Sequence, residues 1–124
     1  MMNWLSHAVI WKGVVYYNTI VFVGQHEAIL YPYREECEAT SFINGVILIL
    51  ETEPGNMDAI IGGLGNIIED CADIEEVIEV ILREVPMEMP YDDARHDYSL
   101  ISLWPSVRIL ASGVSMRRGE SCDF

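Results

Sequence analysis

Only seven of the 124 residues are lysine or arginine, against 20 aspartates and glutamates, and the formal net charge is −13. That scarcity of positive charge argues against free nucleic acid as a direct partner, because most of the surface field repels phosphate. Cysteine is sparse too. Cys37, Cys71 and Cys122 are widely spaced with no CxxC, so neither a zinc knuckle nor a dithiol redox site has support. The amino-terminal stretch MMNWLSHAVIWKGVV lacks a basic leader region and a small-residue cleavage site, and no apolar run approaches the length of a membrane span. The expectation is a cytoplasmic protein with no cofactor, no metal and no contact with membrane.

What is present is a sizeable apolar fraction. Hydrophobic residues make up 51% of the chain and charged residues 22%, which is not the composition of a disordered acidic tail. The length argues for one domain over residues 1–124, able to bury roughly two-thirds of its unfolded surface without staples. The charge is divided unevenly. Residues 1–50 hold four acids and two bases, residues 51–93 thirteen acids and one base (Arg83), and residues 94–124 three acids and four bases. Residues 13–26 and 39–50 carry no charge at all. Such a chain presents one dominant negative face.

Strands are expected where β-branched and aromatic residues concentrate. Residues 7–11 and 14–23 flank a turn at Lys12-Gly13, and a third strand at 27–31 follows the break at Gly24-Gln25. Residues 39–43 and 46–50 flank Asn44-Gly45, the strongest hairpin signal in the chain. Residues 98–104 and 106–111 form a carboxy-terminal hairpin interrupted by Pro105, and residues 112–124 read as a loose tail. Between these regions lie two helices, together spanning 57–85. Met57, Ile60, Ile61, Leu64, Ile67, Ile68 and Cys71 recur at steps of three and four, and Ile74, Val77, Ile78, Ile81, Leu82 and Val85 repeat the spacing. Asp73 and Glu76 form a capping box, and Glu79 stands one turn from Arg83. The fold class is therefore α+β: a mostly antiparallel sheet of about six to seven strands built from hairpins, with two consecutive amphipathic helices on one face.

Residues 14–23 are apolar at both odd and even positions. Two helices cover one face of a sheet but rarely both. Either the strands curl into a barrel-like sheet, or the second face meets another subunit or a partner; a homo-oligomer, most simply a dimer, is the expectation.

No motif specifies a catalyst. Gly62, Gly63 and Gly65 lie inside helical periodicity with Glu69 and Asp70 after them and no lysine near, which suits close approach of another backbone better than a phosphate loop. Asp92 and His96, like Asp93 and Asp97, stand four apart and could share a cation or a proton on a helical turn; a solvated loop has the same composition. His7 and His26 sit near strand ends, with Cys37 and Glu27 as conceivable neighbours, yet no flanking signature supports a Cys–His nucleophile pair. Ser112-Gly113 and Ser115 lack a nucleophile elbow. The chain is not expected to be an enzyme.

The composition points instead to a small binding or inhibitor protein that docks its negative face on a basic protein. A nuclease, a toxin or a nucleic-acid-guided complex is the natural partner, since carboxylates can stand where phosphates would sit. Bacterial immunity proteins and phage inhibitors of host defence share this type: short, acidic and free of catalytic motifs. Glu69, Asp70, Glu75, Glu76 and Glu79 are the expected contacts, with Tyr31 and Tyr33 as exposed aromatic anchors around Pro32. The alternative is an oligomeric protein binding an anionic small ligand such as a nucleotide, gripped by Arg95, Arg108, Arg117 and Arg118.

Overall fold

The computed structural model describes residues 2–33, 41–51, 57–85, 98–104 and 106–119. Lys12 and Gly13 both take positive φ, 53° and 76°, the geometry of a two-residue hairpin turn whose twist matches the strands it joins. It connects β1 (Met2–Trp11) to β2 (Val14–Tyr16), with Trp11 opposite Val14. The apolar run beyond does not continue as one strand. Asn18 turns to φ 50°, the Thr19 hydroxyl donates to the Tyr17 carbonyl at 3.0 Å, and the chain re-enters the sheet as β3 (Thr19–Val23). β2 and β3 share one edge of β1, β2 against Val9–Trp11 and β3 against Met2–Leu5.

The remaining strands are β4 (Glu27–Pro32), β5 (Ser41–Glu51), β6 (Tyr98–Ser102) and β7 (Arg108–Arg118). Helices α1 (Met57–Ile68) and α2 (Ile74–Glu84) lie between β5 and β6. Pairing runs β1–β3–β4–β7–β6–β5 and returns from β5 to β1, so the sheet closes on itself. Five strand pairings are antiparallel, and two, β1–β5 and β4–β7, are parallel. The chain is α+β, as its hydrophobic pattern indicates.

Two expected features are overturned. Asn44-Gly45 makes no hairpin; it sits inside β5. Ser6 pairs with Ile43 and Ala8 with Val46, so His7 alone faces both Asn44 and Gly45 in a bulge. A Cβ on Gly45 would overlap the Trp104 carbonyl oxygen. Glycine is therefore required there for the close approach of a second backbone, beside the bond from Leu103 N–H to the Val46 carbonyl at 2.8 Å. The tail is also corrected. Residues 112–118 continue β7, with Ser115 opposite Glu27 and Arg118 opposite Leu30 on β4. Val114 is buried while Ser112, Gly113 and Ser115 are exposed, and this polar side gave the segment the composition of a loop.

Closure explains the two-sided apolar strands. Val9, Trp11, Val21, Leu30, Ile47, Ile49, Tyr98 and Leu100 pack inside the ring. Their alternates Ala8, Ile10, Val46, Leu48, Ile101 and Leu103 face outward under Leu64, Ile68, Val77, Ile78 and Ile81 of the helices. Ile20, Ile29 and Tyr31 form a third buried cluster on the outer side of β3 and β4. Each fully buried Ile or Leu contributes about 1.5–3 kcal/mol, so both faces of β1 and β5 stabilise the fold. The second face of the sheet no longer requires another subunit to cover it.

Candidate functional site

Asp73 caps α2: its carboxylate accepts from Glu76 N–H at 2.9 Å, and Glu76 Oε2 accepts in turn from Ala72 N–H at 3.1 Å. These two bonds, one to the cap residue and one from the residue before it, anchor the helix at its start, and Val77, Ile78 and Ile81 seat it on the sheet. Orientation then follows from helical spacing. Glu76, Val80 and Glu84 recur at steps of four along the edge that faces α1, while Glu75, Glu79 and Leu82 lie on the other edge.

Between that first edge and the end of α1 lies an open groove of about 490 Å³. Ile67, Cys71 and Val80 give it an apolar lining, and Asp70, Glu76 and Glu84 give it carboxylates, with Asn66 and Arg83 completing the wall. The Cys71 thiol is pushed up in pKa, first by burial and then by the Glu76, Asp70 and Asp73 carboxylates, with Arg83 opposing. It stays protonated near neutrality, the reverse of an activated thiol. Arg83 pairs with its sequence neighbour Glu84 at 3.5 Å rather than with Glu79, and both side chains are more than half exposed. Such a pair contributes little to stability.

Asp58, Glu69, Asp70, Asp73, Glu75, Glu76, Glu79 and Glu84 are all exposed, and Arg83 is the one cation among the described residues of the helical region. The five expected acidic contacts therefore do stand on the helical layer. They divide between groove (Asp70, Glu76) and outer surface (Glu69, Glu75, Glu79). Sequence reasoning missed Ile67, Val80 and Glu84. The spacing Glu76–Val80–Glu84 was the available signal, passed over because Val80 falls outside the core stripe Ile74, Val77, Ile78, Ile81, Leu82 and Val85.

Tyr31 requires correction. It is 2% exposed, its hydroxyl lies 3.4 Å from Asn3 Oδ1, and burial raises its pKa. Its position in β4, opposite Ile20, buries it in the cluster on the outer side of β3 and β4, so it offers no contact surface. Tyr33 is 42% exposed, but it follows β4, on a wall of the ring away from the helices, which cover β1, β5 and β6.

The arginines are not assembled into one anion site. Arg108 opens β7 and Arg117 and Arg118 close it, roughly 30 Å apart at about 3.3 Å per residue. Arg117 is paired with Glu27, and the Arg118 guanidinium lies 5.2 Å from the Tyr16 ring centroid. Arg95, Asp92, Asp93, His96, Asp97, Cys37 and Cys122 lie outside the described residues. His7 Nε2 donates to Asn44 Oδ1 at 3.0 Å. The Ser115 hydroxyl donates to the His26 carbonyl at 3.3 Å, and among the described residues neither imidazole is joined to a nucleophile. Among the described residues no group of His, Cys, Asp and Glu has the geometry to hold a metal ion, and no helix is long and apolar enough to cross a membrane.

Compared with known proteins, the chain matches no family model, and no curated protein and no solved structure is significantly similar to it.

Proposed function

We propose that this is a small acidic binding protein that docks its helical layer on the basic surface of another protein, one that handles nucleic acid. The observation that carries this reading is the groove between α1 and α2, with its apolar lining and its carboxylates at Asp70, Glu76 and Glu84. Lys and Arg side chains combine an aliphatic stem with a charged head, so one basic side chain can lay its stem on Ile67 and Val80 and bring its head to the carboxylates. The surrounding exposed acids lend the approach a field of one sign, which speeds encounter more than it deepens affinity. Occupying phosphate sites in this way blocks a nuclease, a toxin or a nucleic-acid-guided complex without any chemistry, the manner of an immunity or anti-defence inhibitor.

The test is binding of an arginine-rich peptide, followed by a panel of such enzymes, to the protein and to two charge-matched variants. One carries Asp70→Lys with Glu84→Lys in the groove; the other carries Asp58→Lys with Glu51→Lys elsewhere. The groove variant should bind at least about tenfold more weakly than the other, as expected when charged pairs are partly desolvated. Equal losses in the two variants would reduce the acidity to a general field. The reading then fails.

A further inference from the structure

We infer that a second cavity, at the amino-terminal end of β5, is a binding site for a small anion bearing a flat ring, of the nucleoside monophosphate class. The cavity measures about 330 Å³, within the range of roughly 300–1,000 Å³ for small-molecule sites and near its lower end. Phe42 and Asn44 of β5, Ser102 of β6, Trp104 and Ser106 of the β6–β7 connection, and Arg108 of β7 line it. It owes its existence to the bulge. By opposing His7 to both Asn44 and Gly45, the bulge lets the Trp104 backbone approach β5, and Trp104 and Phe42 line the same cavity.

Four features converge on the ligand class. Phe42 is 59% exposed, yet its ring is held in place by the edge of the His7 ring, 5.2 Å away at 82°. His7 is itself held by Asn44 Oδ1, which leaves the Asn44 N–H₂ as a donor toward a ligand. Of the described arginines, Arg83 and Arg117 have carboxylate partners and Arg118 an aromatic one, whereas Arg108 has neither among the described residues. In a chain of net charge −13, no acid lines this cavity among the described residues. The polar lining is therefore rich in donors: a guanidinium, an amide and two hydroxyls. A guanidinium fork matches phosphate, and aromatic faces take a base by stacking. Inorganic phosphate would leave Phe42 and Trp104 unused, and a neutral base or nucleoside would leave Arg108 unused. This inference is independent of the helical groove, which lies on other elements.

The experiment is an amide and side-chain NMR titration of the full chain with AMP, GMP, CMP and UMP, and with adenosine and inorganic phosphate as partial ligands. At least one mononucleotide should saturate, shifting Asn44, Ser102, the Trp104 indole and Arg108. The partial ligands should bind about tenfold more weakly or worse, because each lacks one half of the recognition. Arg108→Gln and Phe42→Ala, both at exposed positions and checked for unchanged melting, should each weaken binding several-fold. Arg117→Gln should not. No saturation by any mononucleotide up to about 5 mM overturns the inference. So does saturation whose shifts gather at Arg117 and Arg118, or an Arg108→Gln variant that binds as tightly as the parent.

Discussion

Helix α1 carries three glycines, and a Cβ placed on Gly62, Gly63 or Gly65 meets nothing within 4 Å. Among the described residues no neighbouring backbone approaches these glycines, and the space beside each is open. Glycine costs a helix interior about 0.8–1.0 kcal/mol relative to alanine, through the backbone freedom it loses on folding. Gly62→Ala and Gly63→Ala should therefore each stabilise the protein by close to 1 kcal/mol. Adjacent helical positions do not face one another, so the double variant should gain nearly 2 kcal/mol. For a chain of this length that corresponds to a rise of roughly 8 °C in Tm. Urea unfolding is the better assay, because the midpoint should move while the slope with denaturant stays constant. No gain, or a loss, would refute the reasoning. It would mean that something does occupy the space beside α1. A double variant that is more stable but binds its basic partner less well would place the glycine face of α1 inside the interface.

Gly45→Ala should behave in the opposite way, losing about 1–3 kcal/mol as the new methyl group meets the Trp104 carbonyl, read by the same unfolding curves. Stability should also fall as pH rises above about 8.5, the ordinary thiol range. The folded state raises the Cys71 pKa, so in that window the unfolded chain releases the proton first and binds fewer protons than the native one, and the slope of stability with pH is negative. Cys71→Ala should flatten the onset of that decline. Tyr31, raised in the same direction, should maintain it near pH 10 and above.

What could be read from the sequence divides along physical lines. Local signals were legible. Asp73 and Glu76 cap α2, the helical stripes face the sheet except at Leu82, which is exposed, and Lys12-Gly13 turns as a tight hairpin with both residues at positive φ. Signals that depend on distant chain were not. Asn44-Gly45 has the composition of a turn, and only the parallel pairing of β5 with β1, together with the arrival of Trp104, makes it a bulge. Tyr31 beside Pro32 has the look of an exposed anchor until β3 pairs with β4 and buries it. The two-sided apolarity of residues 14–23 announced a conflict and named ring closure as one solution, but periodicity could not choose between closure and a second subunit. The candidate site divides in the same manner. Its charges were visible as a run of acids, whereas the groove depends on how α1 ends against α2. The Phe42–Trp104–Arg108 cavity gathers residues from three strands and the connections between them, a juxtaposition with no local spacing to betray it.

Glu76 separates the structural from the docking role of the acidic helix, because it serves both. Its carboxylate accepts from Ala72 N–H, just ahead of the Asp73 cap, and it also lines the groove between the helices. Reversal to lysine confounds the two roles: Glu76→Lys removes the acceptor at the helix start, at a cost of about 1 kcal/mol by analogy with other cap losses, and repels a cationic ligand. Glu76→Gln keeps an oxygen of the same reach and removes only the charge. Its effect on folding should stay within about 0.5 kcal/mol, since the glutamine oxygen accepts the same bond. Its affinity for an arginine-rich peptide should nonetheless fall several-fold at low salt. That difference should shrink as ionic strength rises past about 0.15 M, where the Debye length falls below roughly 8 Å. If Glu76→Gln folds and binds like the parent at every salt concentration, Glu76 is a cap alone. Recognition by the acidic helix must then rest on its other edge, at Glu75 and Glu79.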